Sequence, residues 1–161
     1  MKIVCLGDSF TEGYMVRKSY VDFLADFGHE VINLGINGNR TSEMVQRFKA
    51  EDTDVLIIFG GSNDTFDALS PEDIFSNIKE IIKKSKARQN IVIIPPLMEL
   101  EDAYPRYEIN NRTINDLGNL IETLDITKVD ARKIEPVYLD GLHMGEAFHR
   151  DLAEEIQKVL N

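Results

Sequence analysis

The chain has 161 residues, a length that suits one compact domain, and its 43% hydrophobic and 29% charged residues are ordinary for a soluble globular protein. Its 28 acidic residues outnumber its 18 basic residues, and the resulting net charge of −10 argues against nucleic acid and anionic membranes as partners. No apolar run approaches the ~20 residues that a membrane span needs. We therefore expect a single domain over residues 1–161 that acts on a small molecule and does not insert into a membrane.

The N-terminus and the single cysteine bear on the cellular compartment. Residues 1–8 hold only a short apolar stretch, without the hydrophobic length or the cleavage site of a signal peptide. Cys5 has no partner for an intramolecular disulfide, which agrees with a reducing cytoplasm. Its place between Val4 and Leu6 favours a packed apolar thiol over a reactive one. We expect a cytoplasmic protein, and the sequence leaves open whether it forms a homodimer.

Short apolar runs alternate with helical patterns along the chain. Four of the runs have β-branched residues on both faces, which is typical of parallel strands covered on each side. The predicted strands are residues 3–7, 31–34, 55–59 and 91–94, with a weaker fifth at 126–131. Helical patterns follow the first and second strands, begin at Ser70-Pro71 after the third, and end the chain around Leu152 to Leu160. Residues 95–106 are the least regular stretch.

This alternation predicts an α/β fold, a three-layer α/β/α sandwich around a five-stranded parallel sheet in the flavodoxin-like order 2-1-3-4-5. In open parallel sheets, ligands bind beyond the carboxyl ends of the strands. The segments that leave those ends are residues 7–10, 35–40, 60–64 and 95–97. Three of them combine glycine with Ser, Asn or Asp, so we expect the chemistry there.

Ser9 follows the first strand and opens a helix, where a serine is more often a cap than a nucleophile. A nucleophilic serine needs a base and a group that orients the base. His143 is the candidate base, because Asp140 lies three residues before it and could hold its Nδ1; capping by Asp140 is the alternative. We expect His29 at the opposite end of the sheet and His149 in solvent on the last helix.

Acyl transfer also needs hydrogen-bond donors for the developing oxyanion. The candidates are the backbone N–H of Ser9, the backbone N–H of Gly38 and the side-chain amide of Asn63, although Gly38 and Asn63 are also common turn residues. Asp8 and Asp64 fit turn and cap positions, and no His, Cys and Asp cluster has metal-ligand spacing. We expect neither a metal nor another cofactor.

Four motifs in order resemble those of the GDSL/SGNH hydrolases, a family of lipases, acylhydrolases and other esterases. Residues 7–9 look like the GDS block, residues 33–38 like the glycine block, residues 61–64 like the G-x-N-D block and residues 140–143 like the D-x-x-H block. Together they are highly specific and span most of the chain. The family implies a flavodoxin-like sheet, no cofactor, and cleavage of carboxylic esters or thioesters through an acyl-enzyme intermediate.

Carried over to this sequence, the resemblance implies Ser9 as nucleophile, His143 as base and Asp140 as its partner, with Gly38 and Asn63 as oxyanion donors beside the Ser9 amide. The chain has Phe10 where the family has Leu, and after His143 it lacks the family's frequent Pro-Asn, which leaves the substrate uncertain. Arg40 either reaches the cleft or starts a helix.

The substrate itself stays open among short-chain esters, acetylated sugars, lysophospholipids and thioesters. Apolar residues in the cleft loops could contact an acyl chain or belong to the core; they are Phe10, Tyr14, Met15, Phe66, Leu97, Met98 and Tyr104. Three other functions compete with the esterase. The first is a flavin-binding module, which Asp8 and Glu12 disfavour because they would repel the flavin phosphate. The second is a receiver-like signalling domain, but this chain lacks the paired acids after the first strand and the lysine at the end of the fifth that such a domain needs. The third is a non-catalytic carbohydrate-binding relative, which the intact set of triad residues argues against.

Overall fold

Five parallel strands form one sheet in the computed structural model, which describes residues 1–161. The strands are β1 (Lys2–Gly7), β2 (Glu30–Gly35), β3 (Asp52–Phe59), β4 (Lys86–Ile94) and β5 (Thr127–Asp130). Their order in the sheet is β2-β1-β3-β4-β5, and every pair is parallel. The predicted α/β fold and strand order are therefore confirmed.

Helices cover both faces of the sheet. They are α1 (Ser9–Glu12), α2 (Tyr20–Asp26), α3 (Thr41–Arg47), α4 (Pro71–Lys84), α5 (Tyr107–Glu122) and α6 (Glu146–Val159). Short 3₁₀ turns follow β3 at Asn63–Asp67 and β5 at Ala131–Lys133. Helix α2 packs beside α6, whereas α4 packs beside both α3 and α5. None of these helices has the length and apolar character to cross a bilayer.

The central strand shows why the sheet is covered on both sides. Val55 and Ile57 of β3 belong to one apolar core, and the alternate residues Leu56 and Ile58 belong to the other. Side chains that alternate between faces can all be apolar only where both faces are covered. Cys5 of β1 lies in the first core, and burial raises the pKa of its thiol to about 12, so it packs as an apolar group.

Two glycines let α1 lie against the ends of the strands. Gly7 ends β1 and pairs in register with Gly35, which ends β2. A Cβ added at Gly35 would come within 2.5 Å of the Thr11 carbonyl carbon, and one at Gly7 within 2.7 Å of the Phe59 carbonyl oxygen. Only glycine fits at these two positions, and their close packing fixes where α1 begins.

Candidate active site

Ser9 is the first residue of α1, directly after the carboxyl end of β1. The side chain of Asp8 caps the helix, because its Oδ1 accepts the N–H of Phe10 at 3.1 Å. Phe10 in turn packs into the core and stacks on Phe59 with ring centroids 5.0 Å apart. The turn that carries Ser9 is therefore held by a cap on one side and by the core on the other, and the serine itself is only 2% exposed.

The structure brings together the three residues of the predicted triad. His143 Nε2 lies 3.1 Å from Ser9 Oγ, and His143 Nδ1 lies 2.7 Å from Asp140 Oδ2. Asp140 Oδ1 also accepts the backbone N–H of His143 at 2.7 Å and that of Leu142 at 3.1 Å. Asp140 thus contacts the imidazole and closes the turn before His143. It does not cap a helix, the alternative that the sequence offered, because α6 begins at Glu146 with Gly145 as its N-cap.

The charge of Asp140 is stabilised where it lies. Burial alone raises the pKa of its carboxyl, but the hydrogen bonds from the His143 ring and from the backbone N–H groups of His143 and Leu142 outweigh burial. The net pKa lies below the usual range. Asp140 therefore stays ionised at neutral pH and can balance a positive imidazolium at His143.

His143 belongs to a hairpin-like turn between the end of the second 3₁₀ segment and α6. The N–H of Leu139 donates to the His143 carbonyl at 2.8 Å, and the N–H of Gly145 donates to the Val137 carbonyl at 2.7 Å. Gly141 at the tip has a φ of +81°, a left-handed conformation that favours glycine. These backbone contacts fix the direction in which the imidazole points.

The candidate oxyanion donors lie on three adjacent loops. Gly38 is exposed in the turn after β2, with a φ of +75°. Asn63 begins the 3₁₀ turn after β3, and its Nδ2 donates to the Asn39 carbonyl at 3.1 Å and to Asp8 Oδ2 at 3.3 Å. Asn63 thus bridges the residue before Ser9 and the residue after Gly38.

Asp8 and Asp64 are both buried beside these loops. Asp64 accepts the hydroxyl of Thr41 at 2.5 Å and the backbone N–H of Thr41 at 3.1 Å, so it fixes the start of α3. Burial raises the pKa of both carboxyls, that of Asp8 to about 7. Both act as the turn and cap residues that the sequence predicts, and no group of three or more His, Cys, Asp or Glu side chains is placed to hold a metal.

The prediction that His149 is solvated is wrong. Its side chain is 1% exposed, its Nδ1 accepts the backbone N–H of Tyr20 at 3.2 Å, and burial lowers its pKa to about 4. His149 shares the inner face of α6 with Leu152 and Ile156, a spacing of three and four residues that the sequence contains. His29 lies before β2 at the opposite end of the sheet, as expected, with its Nε2 2.7 Å from Gln157 Oε1.

Two arginines near the glycine loop have different surroundings. Arg40 occupies the position before α3 and pairs with Asp67, so it is the helix-start residue that the sequence offered as one of two alternatives. Arg47, which the sequence did not single out, ends the same helix. Its Nη2 donates to the Gly7 carbonyl at 2.8 Å and its Nε to Asn39 Oδ1 at 2.7 Å.

A cavity of about 340 Å³ lies between the 3₁₀ turn after β3 and the loop before α5. Its apolar wall includes Phe66 and Tyr104, whose ring centroids are 5.6 Å apart. Tyr104 also lies close to Gly141, where an added Cβ would be 3.4 Å from the Tyr104 ring. The cavity therefore begins beside the turn that carries His143. A larger cleft of about 790 Å³ runs along β5 and α6, but it is lined mainly by charged residues and touches none of the triad.

The apolar residues of the cleft loops divide into two groups. Phe10 and Met98 are core residues, and Leu97 packs against the core. The other side chains are at least partly exposed to solvent: Tyr14, Met15, Phe66 and Tyr104. The centroids of the Tyr14 and His143 rings are 4.8 Å apart, so Tyr14 packs against one side of the imidazole.

The sequence model of the GDSL-like Lipase/Acylhydrolase family matches residues 5–150. No curated protein sequence matches the chain.

Solved structures share the fold at low sequence identity. A member of the lipolytic protein G-D-S-L family from Veillonella parvula has a TM-score of 0.81 at 16% identity, covering 99% of this chain and 97% of that chain. An M. smegmatis aryl esterase has a TM-score of 0.77 at 20% identity, covering 99% of each chain. A carbohydrate acetylesterase family member from Sinorhizobium meliloti has a TM-score of 0.81 at 16% identity, covering 98% of this chain and 96% of that chain.

Proposed function

Because the chain belongs to the GDSL-like Lipase/Acylhydrolase family, we propose that it cleaves carboxylic esters or thioesters of small molecules with Ser9 as its nucleophile. The family match confirms the resemblance that the four sequence motifs carry. The observation that supports the nucleophile most strongly is the continuous chain of hydrogen bonds from Ser9 Oγ through both ring nitrogens of His143 to Asp140, with distances of 3.1 and 2.7 Å.

The proposed reaction begins when Ser9 Oγ attacks the carbonyl carbon of the ester and gives its proton to His143 Nε2. Asp140 holds the imidazole by Nδ1, keeps the proton on that nitrogen and balances the imidazolium charge. The tetrahedral intermediate collapses as His143 returns the proton to the leaving alcohol or thiol. The acyl group then remains on Ser9 until His143 activates a water molecule that releases it as a carboxylic acid.

The negative charge on the carbonyl oxygen needs donors that are already in place. We assign this part to the N–H groups of Ser9 and Gly38 and to the side-chain amide of Asn63. The Asn63 contact with Asp8 Oδ2, at 3.3 Å, is longer than the usual ~2.9 Å of an N–H···O bond. That N–H can therefore be shared with the substrate oxygen when the charge develops.

The surroundings of the site favour a compact, uncharged substrate. The 340 Å³ cavity beside Tyr104 lies at the lower end of the ~300–1,000 Å³ range of small-molecule sites, and both apolar and hydroxyl side chains line it. The net charge of −10 disfavours anionic substrates. Relatives named as an aryl esterase and a carbohydrate acetylesterase suggest the first compounds to test, which are short acyl esters of aromatic or sugar alcohols.

A substrate panel tests this function. Nitrophenyl esters of increasing chain length, acetylated sugars and acyl thioesters are assayed with the wild-type protein and with Ser9→Ala as the background. In parallel, the protein is treated with a fluorophosphonate and the modified residue is located by mass spectrometry. We expect hydrolysis of at least the short esters and an adduct on Ser9. A folded protein that cleaves none of these compounds, or an adduct on a different residue, would overturn the proposal.

A further inference from the structure

The guanidinium of Arg47 is half-buried and bonded only to neutral oxygens. Its Nη2 donates to the Gly7 carbonyl at 2.8 Å and its Nε donates to Asn39 Oδ1 at 2.7 Å. Neither partner is a carboxylate. Burial lowers the pKa of the Arg47 guanidinium, and the negative charge of Glu43 one turn earlier only partly offsets this. A partly buried cation without a salt-bridge partner is unfavourable, so Arg47 is poorly explained as an ion pair that stabilises the fold.

The two partners of Arg47 lie beside the proposed oxyanion donors. Gly7 is two residues before Ser9, and Asn39 directly follows Gly38. The carbonyl of Asn39 accepts the side-chain amide of Asn63 at 3.1 Å. The Arg47 side chain is therefore hydrogen-bonded directly to the loops of the Ser9 and Gly38 donors, and through Asn39 it is connected to the Asn63 donor.

We propose that Arg47 is a positioning residue that keeps these three loops in the mutual arrangement that the oxyanion requires. The inference rests on the proposed esterase function, because it concerns the same site. Oxyanion donors act only within a narrow distance of the developing charge, and a displacement of about 1 Å can cost about 100-fold in rate. Gly7 ends β1 and Asn39 lies in the loop after β2, so Arg47 links the first loop to the second by its side chain. This link adds to the backbone bond from the Ile36 N–H to the Gly7 carbonyl and to the Asn63 bridge.

Arg47 lines no part of the 340 Å³ cavity, and it is expected to leave the binding of the uncharged ester unchanged. Its effect should appear when charge develops on the carbonyl oxygen, which means in kcat and not in KM. A merely structural role, in which Arg47 fastens α3 to β1, would lower the unfolding temperature of the protein and leave the kcat of the folded fraction intact.

The test compares Arg47→Met and Arg47→Lys with a matched control, Arg132→Met. Arg132 is also a half-buried arginine with several hydrogen bonds, to Asp130 and Asn115, but it lies in the 3₁₀ turn after β5, away from the site. We expect Arg47→Met to lower kcat by about 10- to 100-fold with KM within about threefold of wild type, and Arg47→Lys, which retains one donor, to fall between. Arg132→Met should lower the Tm and leave kcat unchanged. If Arg47→Met does not fold, Arg47→Lys carries the same comparison.

A double-mutant cycle identifies the route of the effect. If Arg47 acts through the oxyanion donors, Arg47→Met should lower kcat by a much smaller factor in an Asn63→Ala background than in the wild type. In a Tyr104→Ala background it should lower kcat by the same factor as in the wild type. Equal costs in both backgrounds, or a wild-type kcat for folded Arg47→Met, would overturn the inference. Activity retained in Ser9→Ala would instead overturn the proposed function, so the two failures are distinguishable.

Discussion

His143 Nε2 lies 3.1 Å from Ser9 Oγ although 134 positions separate the two residues in the sequence. Ser9 stands at the carboxyl end of β1, and His143 stands in the turn before the last helix. The contact forms because β1 lies near the centre of the sheet and the chain returns over its end after β5. The alignment of these two residues with Asp140 is the basis of the predictions that follow.

Asp140→Asn should lower kcat steeply, by up to about 10,000-fold as in other serine triads, while circular dichroism stays unchanged. The asparagine can still accept the two backbone N–H groups, but its amide would face His143 Nδ1 at the position of Oδ2. The imidazole would then carry its proton on Nε2 and could not accept one from Ser9. Steady-state kinetics with a short nitrophenyl ester measures this, and a loss smaller than about tenfold would contradict the role of Asp140.

Asn63→Ala should lower kcat by about 100- to 1,000-fold with a much smaller change in KM, because an oxyanion donor acts mainly in the transition state. Asn77→Ala is the matched control. The side-chain amide of Asn77 donates to Thr41 Oγ1 at 3.0 Å nearby but outside the proposed site. A change confined to KM in Asn63→Ala would instead make Asn63 a ground-state contact of the substrate.

Tyr104→Ala should change the selectivity for the acyl or alcohol group more than the rate with the smallest ester. The Tyr104 ring forms part of the wall of the 340 Å³ cavity, so its removal enlarges the cavity and removes contact area. The ratio of kcat/KM between long and acetyl nitrophenyl esters measures the effect, with Phe27→Ala, an exposed phenylalanine away from the site, as control. An unchanged ratio would show that the substrate does not enter this cavity.

His149 should make the protein sensitive to acid. Burial lowers its pKa from 6.5 to about 4, so the folded protein favours the neutral ring. Between about pH 6.5 and pH 4 the unfolded chain binds a proton on His149 and the folded protein does not. The free energy of unfolding therefore falls as the pH drops through this range, by on the order of 3 kcal/mol in total. Urea unfolding at several pH values measures this. Between pH 6.5 and about 4 the free energy of unfolding should fall less steeply with pH in His149→Asn than in the wild type. Equal slopes in the two proteins would contradict this prediction.

The sequence predicted the sheet well because buried parallel strands are short, continuous and β-branched, as in Ile91 to Ile94. It did not predict α5, whose buried stripe of Ile114, Leu117 and Ile121 is separated by polar residues and interrupted by Gly118. That glycine is unfavourable in a helix, but here it accommodates Arg132, whose Nη1 would be 2.6 Å from a Cβ at that position. Such a reason is visible only in the folded chain.

The candidate site divides in the same way. Ser9, Asp140 and His143 could be named because their motifs have fixed spacings and a resemblance to a known family. Arg47 could not, because its partners are a backbone carbonyl and an asparagine 40 and 8 positions away, and no motif contains all three. Tertiary hydrogen bonds to the backbone leave no pattern in the sequence.

The central claim is that Ser9 is the nucleophile, and the hydrolysis rate of Ser9→Ala tests it most directly. The substitution should cost at most about 1 kcal/mol of stability, because the hydroxyl makes only the contact with His143 that function requires. We predict a folded protein, by circular dichroism and Tm, whose kcat with a short nitrophenyl ester falls by several orders of magnitude to the residual rate that binding and the oxyanion donors supply. A folded Ser9→Ala protein that retains more than about 5% of the wild-type kcat would contradict the account.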